Sequence, residues 1–236
     1  MKTKTKPIDI APTSNVVHLE DVHSFLTTTR KEKMLCIFGK PGLGKSQACE
    51  YLARQHNAFF FEVPVCPSPY GLVSALAIAM GVGCGNSTQA TLSKLITEIK
   101  DRQQTIVFDE AGRLFHRRRD QLAETARYIH DAAGVPVVLT GMPDLKQSLG
   151  RYPQLADRIH FLEFLPWSKE DCNLVAEMCF SVKLQGDLLD ALFAATKGNG
   201  RLVSRALEHI ERHAAILGLD SIGLANWGDQ PFLPKV

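Results

Sequence analysis

No two of the six cysteines in this sequence form a C-x-x-C pair, and none has histidines nearby at zinc spacing. Cys36, Cys49, Cys66, Cys84, Cys172 and Cys179 are scattered, several in apolar surroundings where a thiol behaves as a small core residue. This argues against a zinc scaffold or a disulfide framework and for a reducing compartment. Long hydrophobic runs are also missing. The longest apolar stretch, residues 71–83, is too short to cross a bilayer and contains glycines. The first ten residues are rich in Lys and Thr without an apolar segment, so a secretory signal is not expected. Charge of one sign is nearly balanced by the other, leaving a formal net charge of +2. The global balance demands no polyanionic partner, and any nucleic-acid surface must be local. There is no internal repeat and no low-complexity tract. The expectation is a soluble, cytoplasmic protein, with 45% hydrophobic residues providing for a real core.

The apolar runs that are present are short and alternate with helical patterns. Residues 34–38, 58–65, 105–108, 135–140 and 159–164 read as strands. Residues 16–29, 45–56, 69–80, 91–101 and 120–133 read as helices, with Leu92, Leu95, Ile96 and Ile99 marking one helical face. Such alternation predicts parallel βαβ units with right-handed crossovers. After Pro166 only helical signals remain. Ser168-Lys169-Glu170-Asp171 is a helix-start signature, and Leu188–Phe193 and Leu202–Ile210 carry two further helices. The expected division is a flexible segment at 1–15, an α/β domain at 16–166, a small helical lid at 167–222 and an irregular tail at 223–236.

Gly39-Lys40-Pro41-Gly42-Leu43-Gly44-Lys45-Ser46 matches G-x-x-x-x-G-K-[ST], between a predicted strand and a predicted helix. Glycines let the backbone wrap phosphates, and N–H groups at a helix start attract anions. Lys45 would face the β- and γ-phosphates, Ser46 would ligate Mg2+, and Gln47 would complete the ATP-binding run. Downstream, Thr105-Ile106-Val107-Phe108-Asp109-Glu110 is an apolar strand ending in two acids. Asp109 would hold the metal, and Glu110 would activate the attacking water. Asp109 alone would suffice for binding, so the adjacent Glu110 points to hydrolysis. Thr140 ends a further predicted strand, at the sheet edge that faces the ligand crevice in parallel sheets, within reach of the water or the γ-phosphate. A strand-terminal Thr that merely starts a turn is the plainer alternative.

A P-loop, an Asp-Glu pair, a polar strand end and a helical lid together resemble the AAA+ ATPases, from about Val16 to Gly218. The resemblance implies a three-layer P-loop fold with a five-stranded parallel sheet and a lid arginine on the γ-phosphate. Gly198-Asn199-Gly200-Arg201 matches the lid turn, which assigns that role to Arg201. It also implies an arginine finger just before the fifth strand, acting on a neighbouring subunit: Arg158, with Arg151 in reserve.

Asp109-Glu110-Ala111-Gly112-Arg113-Leu114, Arg127-Tyr128-Ile129-His130-Asp131 and Val138-Leu139-Thr140-Gly141-Met142 are similar to the DNA-transposition regulators among these ATPases, the phage Mu B, TnsC and TniB types. With 38 residues before the P-loop, the chain resembles the core-only members of that branch. The branch implies a homo-oligomer, a hexameric ring or helical filament, assembled with ATP on double-stranded DNA without sequence preference and acting on a transposase. The encoding genome would be bacterial, phage or transposon. His116-Arg117-Arg118-Arg119 is the strongest local basic run and the first candidate for DNA contact. Ser87, Thr88 and Lys94, in and after the small polar stretch 84–89, are the second. A secretion or protein-assembly ATPase of the ExeA type, and a replication-loader ATPase, share much of this pattern.

Overall fold

The computed structural model describes residues 10–28, 34–65, 68–115, 120–152 and 158–233. They fall into two compact units: Leu19–Lys40 with Lys45–Phe164, and Met1–His18 with Pro41–Gly44 and Leu165–Val236.

The first unit is built on five strands: β1 (Met34–Phe38), β2 (Ala58–Glu62), β3 (Thr105–Asp109), β4 (Val137–Gly141) and β5 (Ile159–Glu163). All pairings are parallel, in the order β2-β3-β4-β1-β5. The inner strands β1, β3 and β4 are buried at every position, while the edge strands β2 and β5 are not. A parallel sheet covered on both faces leaves no polar side to its inner strands, hence their unbroken apolar runs. The helices of this unit are α1 (Ser14–Thr28, whose first residues group with the other unit), α2 (Lys45–Gln55), α3 (Pro69–Ala79), α4 (Thr88–Arg102), α5 (Asp120–Ala133) and α6 (Asp144–Leu149). Leu72, Leu76, Leu95, Ile99, Ile129 and Leu139 are among the fully enclosed residues of its core. The connection leaving β1 runs toward β2, and the one leaving β4 runs toward β5. This reversal opens a crevice beyond the carboxyl ends of β1 and β4, where ligands of such sheets bind.

Several boundaries differ from expectation for identifiable reasons. β4 begins at Val137 rather than at residue 135, because Pro136 has no N–H for the ladder; its carbonyl still accepts from Ile106 N–H at 3.0 Å. β2 stops at Glu62, two residues before Pro64. α4 starts at Thr88 rather than near Thr91, because the Ser87 hydroxyl caps it, accepting from Ala90 N–H at 3.1 Å.

The second unit is helical: α7 (Lys169–Cys179), α8 (Gly186–Thr196), α9 (Gly200–Leu217) and the short α10 (Leu224–Trp227), with a two-stranded parallel pair, β6 (Lys183–Leu184) and β7 (Ser221–Ile222). The Ser168 signature is a reciprocal capping box. Ser168 Oγ accepts from Asp171 N–H at 3.0 Å, and Asp171 Oδ2 accepts from Ser168 N–H at 3.0 Å. Two expectations are corrected here. Residues 10–15, expected to be loose, are tied down: Ala11 is buried, and Ser14 N–H and Oγ both donate to Asp171 Oδ1, at 2.7 and 3.0 Å. The segment from residue 223, expected to be irregular, carries α10 and buries Trp227, whose ring stacks on Phe232 and meets His209 and His213 edge-on.

Gly198 has φ +70°, and a Cβ there would overlap the Trp167 carbonyl oxygen, while Trp167 N–H donates to Gly198 O at 2.8 Å. Gly198→Ala is expected to destabilise the protein by about 2–3 kcal/mol, read as a lowered urea midpoint. In the sheet unit, His23 is 3% exposed and its Nε2 lies 3.1 Å from Thr105 Oγ1. Burial, then the neighbouring His56, pushes its pKa down to about 4. The unfolded chain takes up this proton below about pH 6.5 and the folded chain only below about 4, so stability should fall as pH is lowered through that window. His23→Gln should flatten the dependence in urea titrations at successive pH values.

Candidate active site

β1 delivers Gly39 to the carboxyl edge of the sheet, and α2 begins six residues later at Lys45, so the intervening loop must turn sharply. Gly42 and Gly44 make the turn at φ +81° and +84°, a conformation that side chains resist. Leu43 between them is buried and anchors the loop. The Lys45 ammonium lies back over the loop, donating to the carbonyls of Gly39 and Lys40, both at 2.8 Å. Ser46 and Gln47 follow in the first turn of α2 and are exposed. The N–H groups of that turn lack helical acceptors, and the helix dipole adds positive potential there.

The crevice meets the end of β3 and the end of β4. Asp109 is the last residue of β3, buried, and its Oδ1 accepts from Glu110 N–H at 2.9 Å. Burial first, then the Asp109 carboxylate, raises the Cys49 thiol, while Lys45 acts in the opposite sense. One enclosed thiol in α2 thus feels both charged groups. Glu110 is exposed and adopts a left-handed conformation, φ 53° and ψ 36°. A non-glycine residue held so is strained by about 1–3 kcal/mol, the sort of outlier that collects at functional sites. Thr140 is fully buried in β4, one residue from its end, and its Oγ1 has no hydrogen-bond partner among the described residues. Leaving such a group unpaired costs about 1–3 kcal/mol, so an incoming polar group at this strand end would be rewarded. The ammonium, the two acids and the orphaned hydroxyl of the sheet unit could hold a nucleotide's phosphates and its metal. The loop amides, Lys45 and Gln47 would take the phosphates, and Ser46 and Asp109 the metal.

In the helical unit, Arg201 stands in the first turn of α9 and is exposed; no carboxylate pairs with its guanidinium among the described residues. Its backbone N–H donates to Gly42 O at 2.9 Å. The neighbouring Asn199 Nδ2 donates to Pro41 O at 3.0 Å. Asn199 was missed by sequence reasoning, although an Asn opening a helix is a recognisable cap.

Arg158 precedes β5 and has an intrachain partner: its Nη1 lies 3.1 Å from Asp131 Oδ1 on α5. Asp131 also faces His130 Nδ1 at 2.9 Å and Arg127 Nη1 at 3.7 Å. This carboxylate hub was likewise not anticipated. Arg151 lies exposed in the turn after α6. The basic run at 116–119, with Arg117, Arg118 and Arg119, lies outside the described residues. Of the other DNA candidates, Lys94 is exposed on α4, but Ser87 and Thr88 are the cap and first residue of that helix rather than parts of a loop. The Ser87 hydroxyl is occupied by its capping bond.

Residues 28–149, more than half of the chain, match the AAA domain family. A "potential ATP-binding protein" of Staphylococcus aureus is 35% identical over 127 residues, covering 50% of this chain and 45% of that protein. The chain therefore spans less than half the length of this relative. Among solved structures, the Aeropyrum pernix Orc1 protein in complex with DNA superimposes with a TM-score of 0.64 at 17% identity, over 92% of this chain and 63% of that one. Cdc6p from Pyrobaculum aerophilum gives 0.63 at 16% identity, over 94% and 66%. At these identities the likeness is one of fold. No helix among the described residues is long and apolar enough to cross a membrane. With its P-loop at the end of β1 and the Asp-Glu pair at the end of β3, the chain belongs to the AAA domain family.

Proposed function

We propose that this chain is an ATPase that assembles with magnesium ATP on double-stranded DNA, without sequence preference, and regulates a transposase at the DNA it marks. The observation that carries the catalytic part is the meeting, at one sheet edge, of Lys45, the Asp109-Glu110 pair and the orphaned Thr140 hydroxyl. When bound, ATP supplies the phosphoryl group, and Mg2+ offsets its charge. Magnesium takes one or two protein ligands and completes its shell with phosphate and water oxygens, which suits Ser46 and Asp109. The Lys45 ammonium exchanges loop carbonyls for phosphate oxygens. The Glu110 carboxylate accepts the proton of the attacking water, and the Thr140 hydroxyl holds that water or the γ-phosphate in place. Arg201 contributes charge from α9.

The regulatory part is supported by the similarity of residues 109–114, 127–131 and 138–142 to the transposition regulators. A fold of this kind occurs on DNA in the Aeropyrum pernix Orc1 protein. Arg158 serves as the finger toward a neighbouring subunit, with Asp131 holding it in the single chain. Arg117, Arg118, Arg119 and Lys94 are proposed phosphate contacts. Ser87 and Thr88 take part only through the start of α4. A few cations per subunit give weak binding, which an oligomer sums.

Lys45→Ala should lose nucleotide binding in a fluorescent-ATP titration. Glu110→Gln should keep binding while slowing hydrolysis by about 10²–10⁴-fold, measured as phosphate release; a wild-type rate would remove Glu110 from the role of base. Light scattering with ATP, ADP or no nucleotide, with and without duplex DNA, tests the assembly. Growth only with ATP and DNA, weakened by added salt, is expected. Assembly indifferent to nucleotide, or no retention on duplex DNA at low salt, would reject the regulatory reading.

A further inference from the structure

Asn199 uses both ends of its carboxamide. Oδ1 accepts from Leu202 N–H at 3.2 Å and caps α9, while Nδ2 donates to Pro41 O at 3.0 Å. One residue away along the loop, Gly42 O accepts from Arg201 N–H at 2.9 Å. Two successive carbonyls of the P-loop tip are therefore held by the first turn of α9. The approach is close: a Cβ on Gly42 would lie 2.5 Å from Asn199 Oδ1, on a backbone at φ +81° that strains any side chain.

The consequence follows from peptide geometry. In a trans peptide the carbonyl of one residue and the N–H of the next point in opposite directions. Fixing Pro41 O and Gly42 O toward α9 turns the N–H groups of Gly42 and Leu43 away from it. These are amides of the turn that must collect phosphate oxygens. The grip is not redundant with Lys45, which holds the carbonyls of Gly39 and Lys40 instead.

We infer that Asn199 is a positioning residue for nucleotide binding: its side-chain amide orients the tip of the P-loop, and its capping oxygen is a separate, structural function. The inference rests on the loop at 39–46 being the phosphate cradle and is independent of any DNA partner. The loop amides meet the phosphates in ground state and transition state alike, so losing their orientation should raise KM and leave kcat nearly unchanged.

Serine and threonine cap helices about as asparagine does but are too short to reach Pro41. Asn199→Ser and Asn199→Thr in the full chain separate the two functions. Expected is a thermal midpoint close to wild type, with KM for magnesium ATP raised ~5–10-fold, the worth of about one hydrogen bond, and kcat within twofold. The same loss should appear in direct titrations with ADP, and amide hydrogen exchange over 39–44 should quicken. Unchanged KM in both variants, or thermal midpoints lowered in both in step with any loss of affinity, would overturn the assignment. Lys45→Ala run alongside keeps the two ideas apart. If that variant still binds magnesium ATP, the cradle itself is misplaced; if it does not, the Asn199 result stands alone.

Discussion

Four consecutive backbone carbonyls at the turn after β1 are all engaged. Gly39 and Lys40 take the Lys45 ammonium, and Pro41 and Gly42 take the Asn199 amide and the Arg201 N–H. A short loop whose acceptors are occupied presents its donors, and donors at a helix start are what a phosphate chain requires. Gly42 and Gly44 make this possible, because the left-handed backbone at both positions would strain any side chain. Where the carbonyls go thus decides which backbone groups of the loop are left to face a ligand.

The sheet unit gathers further chemistry at its own carboxyl edge. Placing β1 between β4 and β5, with β3 next to β4, gathers three strand ends at one edge. Each ends in a different functional group: a glycine turn, an acid pair and a buried hydroxyl. The local costs are visible there as well. Glu110 holds a left-handed backbone and Thr140 buries an unpaired oxygen, whereas the buried Thr105 at the start of β3 has His23 as a partner. One strained residue and one unpaired hydroxyl thus lie at the edge where catalysis is proposed, although left-handed residues and unpaired polar atoms also occur elsewhere, at Gln103 and Lys197 and at Ser74 and Gln104.

Much of the fold was legible because its signals are local. The strand 34–38 and the helix 120–133 have the expected limits, and the five-stranded parallel sheet follows from the alternation of short apolar runs with helical ones. What failed was set by chemistry that pattern reading underweights. Pro136 shortens β4, the Ser87 cap lengthens α4 backward, and the six-residue helix α6 was not expected. Longer-range effects left no local trace. Ser14 is tied to Asp171, 157 positions away, and Trp227 turns a tail expected to be irregular into part of a core. The motif residues of the candidate site were visible because each run carries its own chemistry in contiguous sequence. The partners were not, since Asn199 reaches a carbonyl 158 residues distant and Asp131 meets an arginine 27 residues on.

The central claim is that the amides and the single ammonium at positions 39–46 form a cradle for a magnesium-bound triphosphate. Titration calorimetry of the folded wild-type chain with magnesium ATP addresses it directly. The account predicts saturable heat for one site per chain, abolished when the phosphates are removed by substituting adenosine. A folded preparation that gives no heat of binding up to millimolar nucleotide, or that binds adenosine as well as ATP, would contradict it.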